Sequence, residues 1–210
     1  MEYGLYVITD ERLSRGLGHV EIARRAIKGG ADVVQLRDKE ANCNYLRNCA
    51  YEISAIAKEA GVPFIVNDRL DIALQAGAAG VHLGQADTPV KFARAITPKG
   101  FIVGASAGTL EEALQAERDG ADYIGLGPIY RTASKADAGP CCGLELLREV
   151  KARVAIPVVA IGGIGSQNLA DVLEAGADGV AVISAVVSQD DMEQATRGLK
   201  ALIARGRARQ

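Results

Sequence analysis

A chain of 210 residues, of which 49% are hydrophobic and 24% charged, can bury a sizeable core, which excludes a disordered protein and leaves one large fold or two small ones. A formal net charge of −2, no tryptophan and only three phenylalanines argue against a nucleic-acid partner, which needs cationic surface and rings for stacking. No apolar run approaches the ~20 residues of a transmembrane helix, so we expect a cytoplasmic protein with no membrane partner.

The predicted elements alternate between strand and helix along the chain. Apolar runs typical of buried strands occur, in chain order, within 5–8, 29–36, 64–66, 77–84, 101–104, 119–127, 157–160 and 175–184. Helical periodicity is found at 46–60, 109–118, 143–152, 166–175 and 191–204. Four of the runs follow a glycine–alanine pair, and a glycine just past a helix supplies the left-handed conformation that ends it. The repeated unit is therefore helix, tight turn and parallel strand.

Eight strand–helix units predict a closed barrel. In 210 residues they leave roughly 26 residues a unit, which is at the compact end of the range for a (β/α)8 barrel. An open doubly wound sheet would carry a GxGxxG turn after its first strand, and the residues after Ile8 lack one. We expect an α/β fold, a single TIM barrel over residues 1–204, followed by a frayed basic tail at 205–210.

Polar side chains follow nearly every predicted strand, at the end where TIM barrels hold their active sites. In chain order they are Thr9, Asp10, Gln35, Arg37, Asp38, Lys39, Asn67, Asp68, Arg69, His82, Gln85, Asp87, Ser106, Thr132, Ser134, Lys135 and Ser184, and Gly162 and Gly163 add backbone N–H groups after the seventh strand. Polar residues that only solvate a surface would be scattered over the helices. Their concentration on one rim favours a binding site there.

The charges on this rim indicate phosphate chemistry. Arg37, Lys39 and Lys135 are cations from two strand ends, which suits a multiply charged anion such as pyrophosphate. Asp68 and Asp87 follow consecutive strands and could hold Mg²⁺ jointly, with phosphate and water completing its coordination. Cations beside a magnesium site predict a diphosphate ligand.

A second phosphate position is indicated after the last two strands. Gly162, Gly163 and Ser184 lie where many barrels bind a monophosphate through backbone N–H groups. Each signal also has an ordinary explanation, since charged loops, aspartates at turns or helix starts, and glycines in tight packing are common. Their joint placement favours two phosphorylated ligands.

The histidines and cysteines receive no catalytic role. His82 lies inside a strand and is expected to pack in the core, although a functional role stays open, and His19, near the first helix, is expected at the surface. The cysteines lack the spacing of a zinc site. They are Cys43, Cys49, Cys141 and Cys142.

Eight ordered motifs run through the chain. They are LYVITD at 5–10, VQLRDK at 34–39, IVNDR at 65–69, GVHLGQAD at 80–87, GAS at 104–106, DYIGLGPIY at 122–130 with 132–135, AIGGI at 160–164 and VISA at 182–185. Together they resemble the thiamine-phosphate synthase family over essentially the whole chain. The resemblance implies a transferase that joins hydroxymethylpyrimidine diphosphate to a thiazole monophosphate, with Mg²⁺, and releases pyrophosphate.

The resemblance also implies a role for each matching residue. The pyrimidine would be contacted by Gln35 and the metal held by Asp68 and Asp87. The residues implied to hold the diphosphate are Arg37, Lys39, Asn67 and Lys135, with Ser106 between diphosphate and pyrimidine. The residues implied to meet the thiazole phosphate are Thr132, Ser134, Gly163, Ile183 and Ser184. Catalysis would rest on Arg37, Lys39, Ser106 and Lys135.

Two positions depart from the family pattern. Many relatives carry a histidine where this chain has Gly108, and a proline where it has Arg131, which we expect to face solvent. The sister family of thiazole tautomerases uses a histidine in the first region, so Gly108 weakens that alternative. A barrel that binds a phosphorylated ligand without catalysis is the other alternative. The oligomeric state is left open by the sequence.

Overall fold

Eight parallel strands close into a barrel in sequential order, with β8 paired to β1, in a computed structural model that describes residues 3–134 and 139–208. The strands are β1 Leu5–Ile8, β2 Val33–Leu36, β3 Phe64–Asn67, β4 Gly80–Leu83, β5 Ile102–Ala107, β6 Tyr123–Leu126, β7 Val158–Ile161 and β8 Gly179–Val182. The predicted (β/α)8 barrel is confirmed.

The helices form a layer around the barrel. They are α1 His19–Lys28, α2 Cys43–Ala60, α3 Leu70–Gln75, α4 Val90–Ile96, α5 Leu110–Arg118, α6 Gly143–Arg153, α7 Leu169–Glu174, α8 Ser184–Val187 and α9 Met192–Arg207. The strands are nearly all buried, since their apolar side chains meet the barrel interior on one face and the helices on the other. Within the described residues, no helix is long and apolar enough to span a bilayer.

The glycine–alanine repeats form the turns that lead from a helix into the next strand. Gly120 has φ +92°, and the N–H of Ala121 then donates to the carbonyl of Ala116 at 3.0 Å, which closes α5. The next N–H, of Asp122, donates to Val103 at 2.8 Å and so begins the pairing of β6 with β5. The other three repeats make equivalent bonds, so one short sequence sets both the helix end and the strand start.

Several element boundaries differ from those predicted, and two of the differences lengthen a helix. The helix α2 begins at Cys43 rather than at residue 46, because the side chain of Asn42 accepts the N–H of Tyr45 at 3.0 Å and caps the first turn. The last helix continues to Arg207, three residues into the segment predicted as a tail.

Candidate active site

A cavity of about 360 Å³ lies at the carboxyl end of the strands, and we call it the Asp68 cavity. Most of the residues predicted for the diphosphate and the metal line it. These are Arg37, Lys39, Asn67, Asp68, Asp87 and Ser106, together with Thr132 from the other predicted group. Residues from four strand ends and the loop after β6 therefore meet in one place. Lys135, the remaining predicted cation, lies outside the described residues.

Two carboxylates meet inside the Asp68 cavity. Burial raises the pKa of Asp68 to about 6, together with the hydrogen bond and charge of the adjacent Asp87, although Lys39 and Arg37 oppose the shift. Lys39 Nζ is 3.6 Å from Asp68 Oδ2, while Asp87 Oδ2 accepts the N–H of Gly84 at 2.6 Å. Two carboxylates that resist joint ionisation form a site that favours an added cation, and oxygen donors are the ligands that Mg²⁺ prefers.

A second cavity, of about 30 Å³, adjoins the first, and a wide opening of about 750 Å³ beside it is lined by four of the same residues. Together they hold the residues predicted for the thiazole phosphate. We call the second cavity the Ser184 cavity; it is lined by Thr132, Ser134, Gly163, Ile183 and Ser184, and it shares Thr132 with the Asp68 cavity. The hydroxyls of Ser134 and Ser184 are 3.2 Å apart, and the N–H of Ser134 donates to Thr132 Oγ1 at 3.2 Å. Two adjoining subsites with a common wall are what two reacting ligands require.

Packing accounts for the glycine at 163. A Cβ there would lie 2.5 Å from the carbonyl oxygen of Arg131, and φ is +64°. The close approach holds the end of β7 against the loop after β6. Glycine therefore shapes the wall of the Ser184 cavity whether or not its N–H meets a ligand.

Five polar side chains form a continuous series of hydrogen bonds through the barrel interior, which we call the interior network. Gln35 Nε2 donates to the hydroxyl of Tyr6 at 2.8 Å, and that hydroxyl is 2.9 Å from the hydroxyl of Tyr123. His82 lies next, with Nδ1 2.9 Å from Tyr123 and Nε2 2.9 Å from Ser106 Oγ. His82 is thus a buried residue, as expected, but one that contacts a predicted site residue.

Sequence reasoning missed Tyr6 and Tyr123. Both residues lie within apolar strands, so the sequence pattern does not separate them from ordinary core residues. The signal that could have found them is the glycine at 104 and 125 inside strands, because a Cβ at Gly104 would lie 2.2 Å from Tyr123 Cζ and one at Gly125 would lie 2.9 Å from His82 Cε1. A glycine within a strand often marks the close approach of a bulky neighbour.

One end of the interior network lacks a partner. Gln35 is 2% exposed, and its Oε1 is buried with no hydrogen bond from any described residue. Buried polar atoms in folded proteins almost always have a partner, because an unmade bond costs about 1–3 kcal/mol. A donor from an ordered water or from a bound ligand would satisfy this acceptor.

His19 was expected at the surface, and the structure corrects this: it is 1% exposed. As the first residue of α1 it turns towards the rim, where Nδ1 lies 2.8 Å from Thr9 Oγ1 and Nε2 lies 3.1 Å from Asp38 Oδ2. Thr9 Oγ1 also accepts the N–H of Arg37 at 3.3 Å. His19 therefore links the loop after β1 to the loop that carries Arg37 and Lys39.

Asp38 holds the same loop from inside. Its Oδ1 accepts the N–H groups of Glu40 and Ala41, both at 2.9 Å. Burial raises the pKa of Asp38, but these bonds and the one from His19 outweigh burial and leave the pKa below its usual value. An ionised Asp38 thus fixes the turn that follows Arg37.

The two positions that depart from the family pattern lie in different surroundings. Gly108 lines the Asp68 cavity, and its N–H donates to Glu112 Oε2 at 2.6 Å. Arg131 is exposed, as expected, at the rim of a wide opening beside Ser134. Gly108 therefore belongs to the wall of the Asp68 cavity, whereas Arg131 does not.

Comparison with known proteins gives one consistent result. The family model for thiamine monophosphate synthase matches residues 5–186. A thiamine-phosphate synthase of Methanocella arvoryzae is 67% identical, with 99% of this chain and 98% of that protein covered. One from Chloroflexus aurantiacus is 51% identical, with coverage of 97% and 94%.

Solved structures agree with the sequence comparison. The thiamine phosphate pyrophosphorylase from Pyrococcus furiosus aligns with a TM-score of 0.90 at 42% identity, over 98% of this chain and 97% of that one. A 3-hexulose-6-phosphate synthase, 18% identical at a TM-score of 0.69, shares the fold alone. The resemblance noted in the motifs is confirmed, and the chain belongs to the thiamine monophosphate synthase family.

Proposed function

We propose that this chain is a thiamine-phosphate synthase, which joins 4-amino-5-hydroxymethyl-2-methylpyrimidine diphosphate to a thiazole monophosphate and releases pyrophosphate. The observation that carries the proposal is the pair of adjoining cavities. The Asp68 cavity collects the cations that a diphosphate requires and the carboxylates that would hold its Mg²⁺, and the Ser184 cavity offers hydroxyls beside it. The names of the similar proteins given above support the same reaction.

The diphosphate would lie in the Asp68 cavity. Arg37 and Lys39 supply positive charge, and Asn67 adds an amide donor on the same wall. Asp68 and Asp87 would hold Mg²⁺, consistent with their contact and with the raised pKa of Asp68. When bound, Mg²⁺ would neutralise charge on the diphosphate oxygens. Lys135 is proposed as a further cation on the strength of its motif alone.

The two organic rings would meet between the cavities. Gln35 Oε1 is the acceptor for the exocyclic amine of the pyrimidine, which gives the orphan oxygen its missing donor. The thiazole phosphate would lie in the Ser184 cavity against Thr132, Ser134, Gly163, Ile183 and Ser184. Because the cavities share Thr132, the two substrates would be held side by side.

The reaction needs charge stabilisation more than proton transfer. The bond between the pyrimidine methylene carbon and the diphosphate oxygen breaks, and its electron pair leaves with the pyrophosphate. The electron-rich aminopyrimidine spreads the resulting positive charge, and the thiazole nitrogen donates its lone pair to form the new C–N bond. Arg37, Lys39 and Ser106 lower the barrier because they are already placed where negative charge grows on the leaving group.

An assay of the purified protein tests the proposal. With both substrates and Mg²⁺, we expect equal amounts of thiamine phosphate and pyrophosphate, and no product when either substrate is omitted. Failure to form product while calorimetry shows that both substrates bind would contradict the synthase function. Isomerisation of the thiazole without the diphosphate would instead establish a tautomerase.

His19 offers a second test within the same reaction. His19→Ala removes the link between Thr9 and Asp38, so the loop that carries Arg37 and Lys39 loses its support. We expect the KM for the pyrimidine diphosphate to rise about tenfold, as the loss of one charge-assisted hydrogen bond implies, with a smaller change in kcat. Steady-state kinetics measure both constants.

The control is Lys28→Ala at the far end of α1, where the side chain is largely exposed. It should leave both constants unchanged. A wild-type KM in His19→Ala combined with a lower melting temperature would mean that His19 supports only the fold.

A further inference from the structure

The interior network crosses the barrel from β2 to β5 and joins a residue that the proposed function places at the pyrimidine to one that it places at the leaving diphosphate. Its members are Gln35, Tyr6, Tyr123, His82 and Ser106. Tyr6 and Tyr123 are each 1% exposed, and His82 is buried with them. No step of the reaction uses these three side chains directly, so a series of polar groups in the core requires another explanation.

Proton counting restricts the network to few arrangements. Burial raises the pKa of Tyr6 and of Tyr123 well above the usual phenol value, so each keeps its single proton. Each hydroxyl has two neighbours in the network, so it donates to one and accepts from the other. A neutral imidazole has the same property, with one N–H and one acceptor nitrogen. Whether Gln35 donates or accepts its hydrogen bond to Tyr6 therefore determines whether Ser106 accepts from His82 or donates to it.

The amide of Gln35 determines which atom is the donor in each hydrogen bond of the network. Nε2 donates to Tyr6, so Tyr6 donates to Tyr123, and Tyr123 donates to Nδ1 of His82. Nε2 of His82 then carries the proton and donates to Ser106 Oγ. Ser106 has its hydroxyl proton left over, and it lines the Asp68 cavity. If every donor and acceptor were exchanged, Gln35 would present N–H groups to the ligand. Ser106 would then donate its hydroxyl proton to His82.

We propose that the interior network sets the donor and acceptor pattern of the pyrimidine diphosphate site, with Tyr6, Tyr123 and His82 as positioning residues. Resting on the proposed function, this assigns Gln35 Oε1 as the acceptor for the pyrimidine amine and the Ser106 hydroxyl as a donor to the diphosphate. In this direction Gln35 offers an acceptor to the exocyclic amine while Ser106 keeps a proton to donate to the diphosphate. In the other direction Ser106 has no proton left for the diphosphate. Gly104 and Gly125 leave the space that the two rings need.

The protonated nitrogen of His82 tests the direction without any assay of activity. In the intact protein labelled with ¹⁵N-histidine, NMR should show a proton on Nε2 and none on Nδ1. A proton on Nδ1, or on both nitrogens, would overturn the proposal, because Tyr123 would then accept from His82. His19 is assigned by comparison with a His19→Gln sample. This readout stands even if the protein proves not to be a synthase.

Tyr123→Phe tests the transmission. It keeps the ring that fills the space beside Gly104 and removes one hydroxyl from the middle of the network. We expect His82 to lose its single tautomer and the KM for the pyrimidine diphosphate to rise about tenfold, with kcat changed less. The matched control is Tyr3→Phe, because the ring of Tyr3 packs on Tyr123 at a centroid distance of 4.6 Å while its hydroxyl is outside the network.

The two variants should therefore differ. Tyr3→Phe is expected to keep the wild-type NMR spectrum of His82 and the wild-type KM. If Tyr123→Phe behaves as Tyr3→Phe does in both measurements, the network does not transmit direction and the proposal is wrong.

Discussion

Asp68→Asn should lower turnover by about 100-fold or more while leaving the barrel folded, because it removes one of the two charges that would hold Mg²⁺. Asparagine is the replacement that isolates the effect of the charge at this position. Asp68 has φ +60°, a left-handed conformation that asparagine tolerates and most other residues resist. The change therefore removes charge with little strain of the backbone.

The stability of Asp68→Asn should separate a functional residue from a structural one. Because the folded protein raises the pKa of Asp68 to about 6, its ionised form opposes folding at neutral pH in buffer without metal. The asparagine variant should then melt at the same temperature as the wild type or higher, although it is nearly inactive. We expect MgCl2 to raise the melting temperature of the wild type and not that of the variant.

The control is Asp71→Asn. The carboxylate of Asp71 forms an ion pair with Arg69 at 2.6 Å, and Asp71 does not line the Asp68 cavity. It should keep wild-type turnover and the response to Mg²⁺. A chelator such as EDTA should abolish activity in the wild type, and added Mg²⁺ should restore it. Wild-type turnover in Asp68→Asn would show that the metal is held elsewhere or not required.

The fold was predictable because its signals are local. A turn such as Gly120–Asp122 ends a helix and begins a strand within three residues, so the pattern is visible without knowing what the strand pairs with. The rim residues were predictable for a related reason, since strands of one barrel all point the same way and their ends must meet. Neither inference needs a distance between remote parts of the chain.

The interior network and His19 were not predictable because they depend on barrel closure. Tyr6 and Tyr123 are 117 residues apart in sequence and become neighbours only when β1 and β6 face each other across the interior. The strand glycines at 104 and 125 indicate that bulky side chains approach there, but the sequence does not say which aromatic residues they are. His19 was misplaced because helical periodicity does not say whether the first turn faces solvent or the rim of the barrel.

Arg37→Ala should lower kcat by roughly 100-fold to 1,000-fold, the range for removing a group that meets charge developing in the transition state. Arg37 is 7% exposed and lines the Asp68 cavity, where the leaving pyrophosphate gains negative charge. The effect should fall more on kcat than on KM, because the charge at the bridging oxygen grows as the bond breaks. Arg37→Lys should recover only part of the loss, since lysine lacks the planar pair of donors.

Steady-state kinetics with both substrates, with pyrophosphate as product inhibitor, measure this prediction. Arg37→Ala should also weaken inhibition by pyrophosphate, because the product would occupy the same contacts. The control is Arg47→Ala on α2. The guanidinium of Arg47 donates to Asn44 Oδ1 at 2.9 Å and does not line the Asp68 cavity, so its loss should change neither kcat nor the inhibition by pyrophosphate. A higher KM with an unchanged kcat in Arg37→Ala would mean that Arg37 binds substrate and transition state equally, and charge stabilisation would then rest on the remaining groups of the Asp68 cavity.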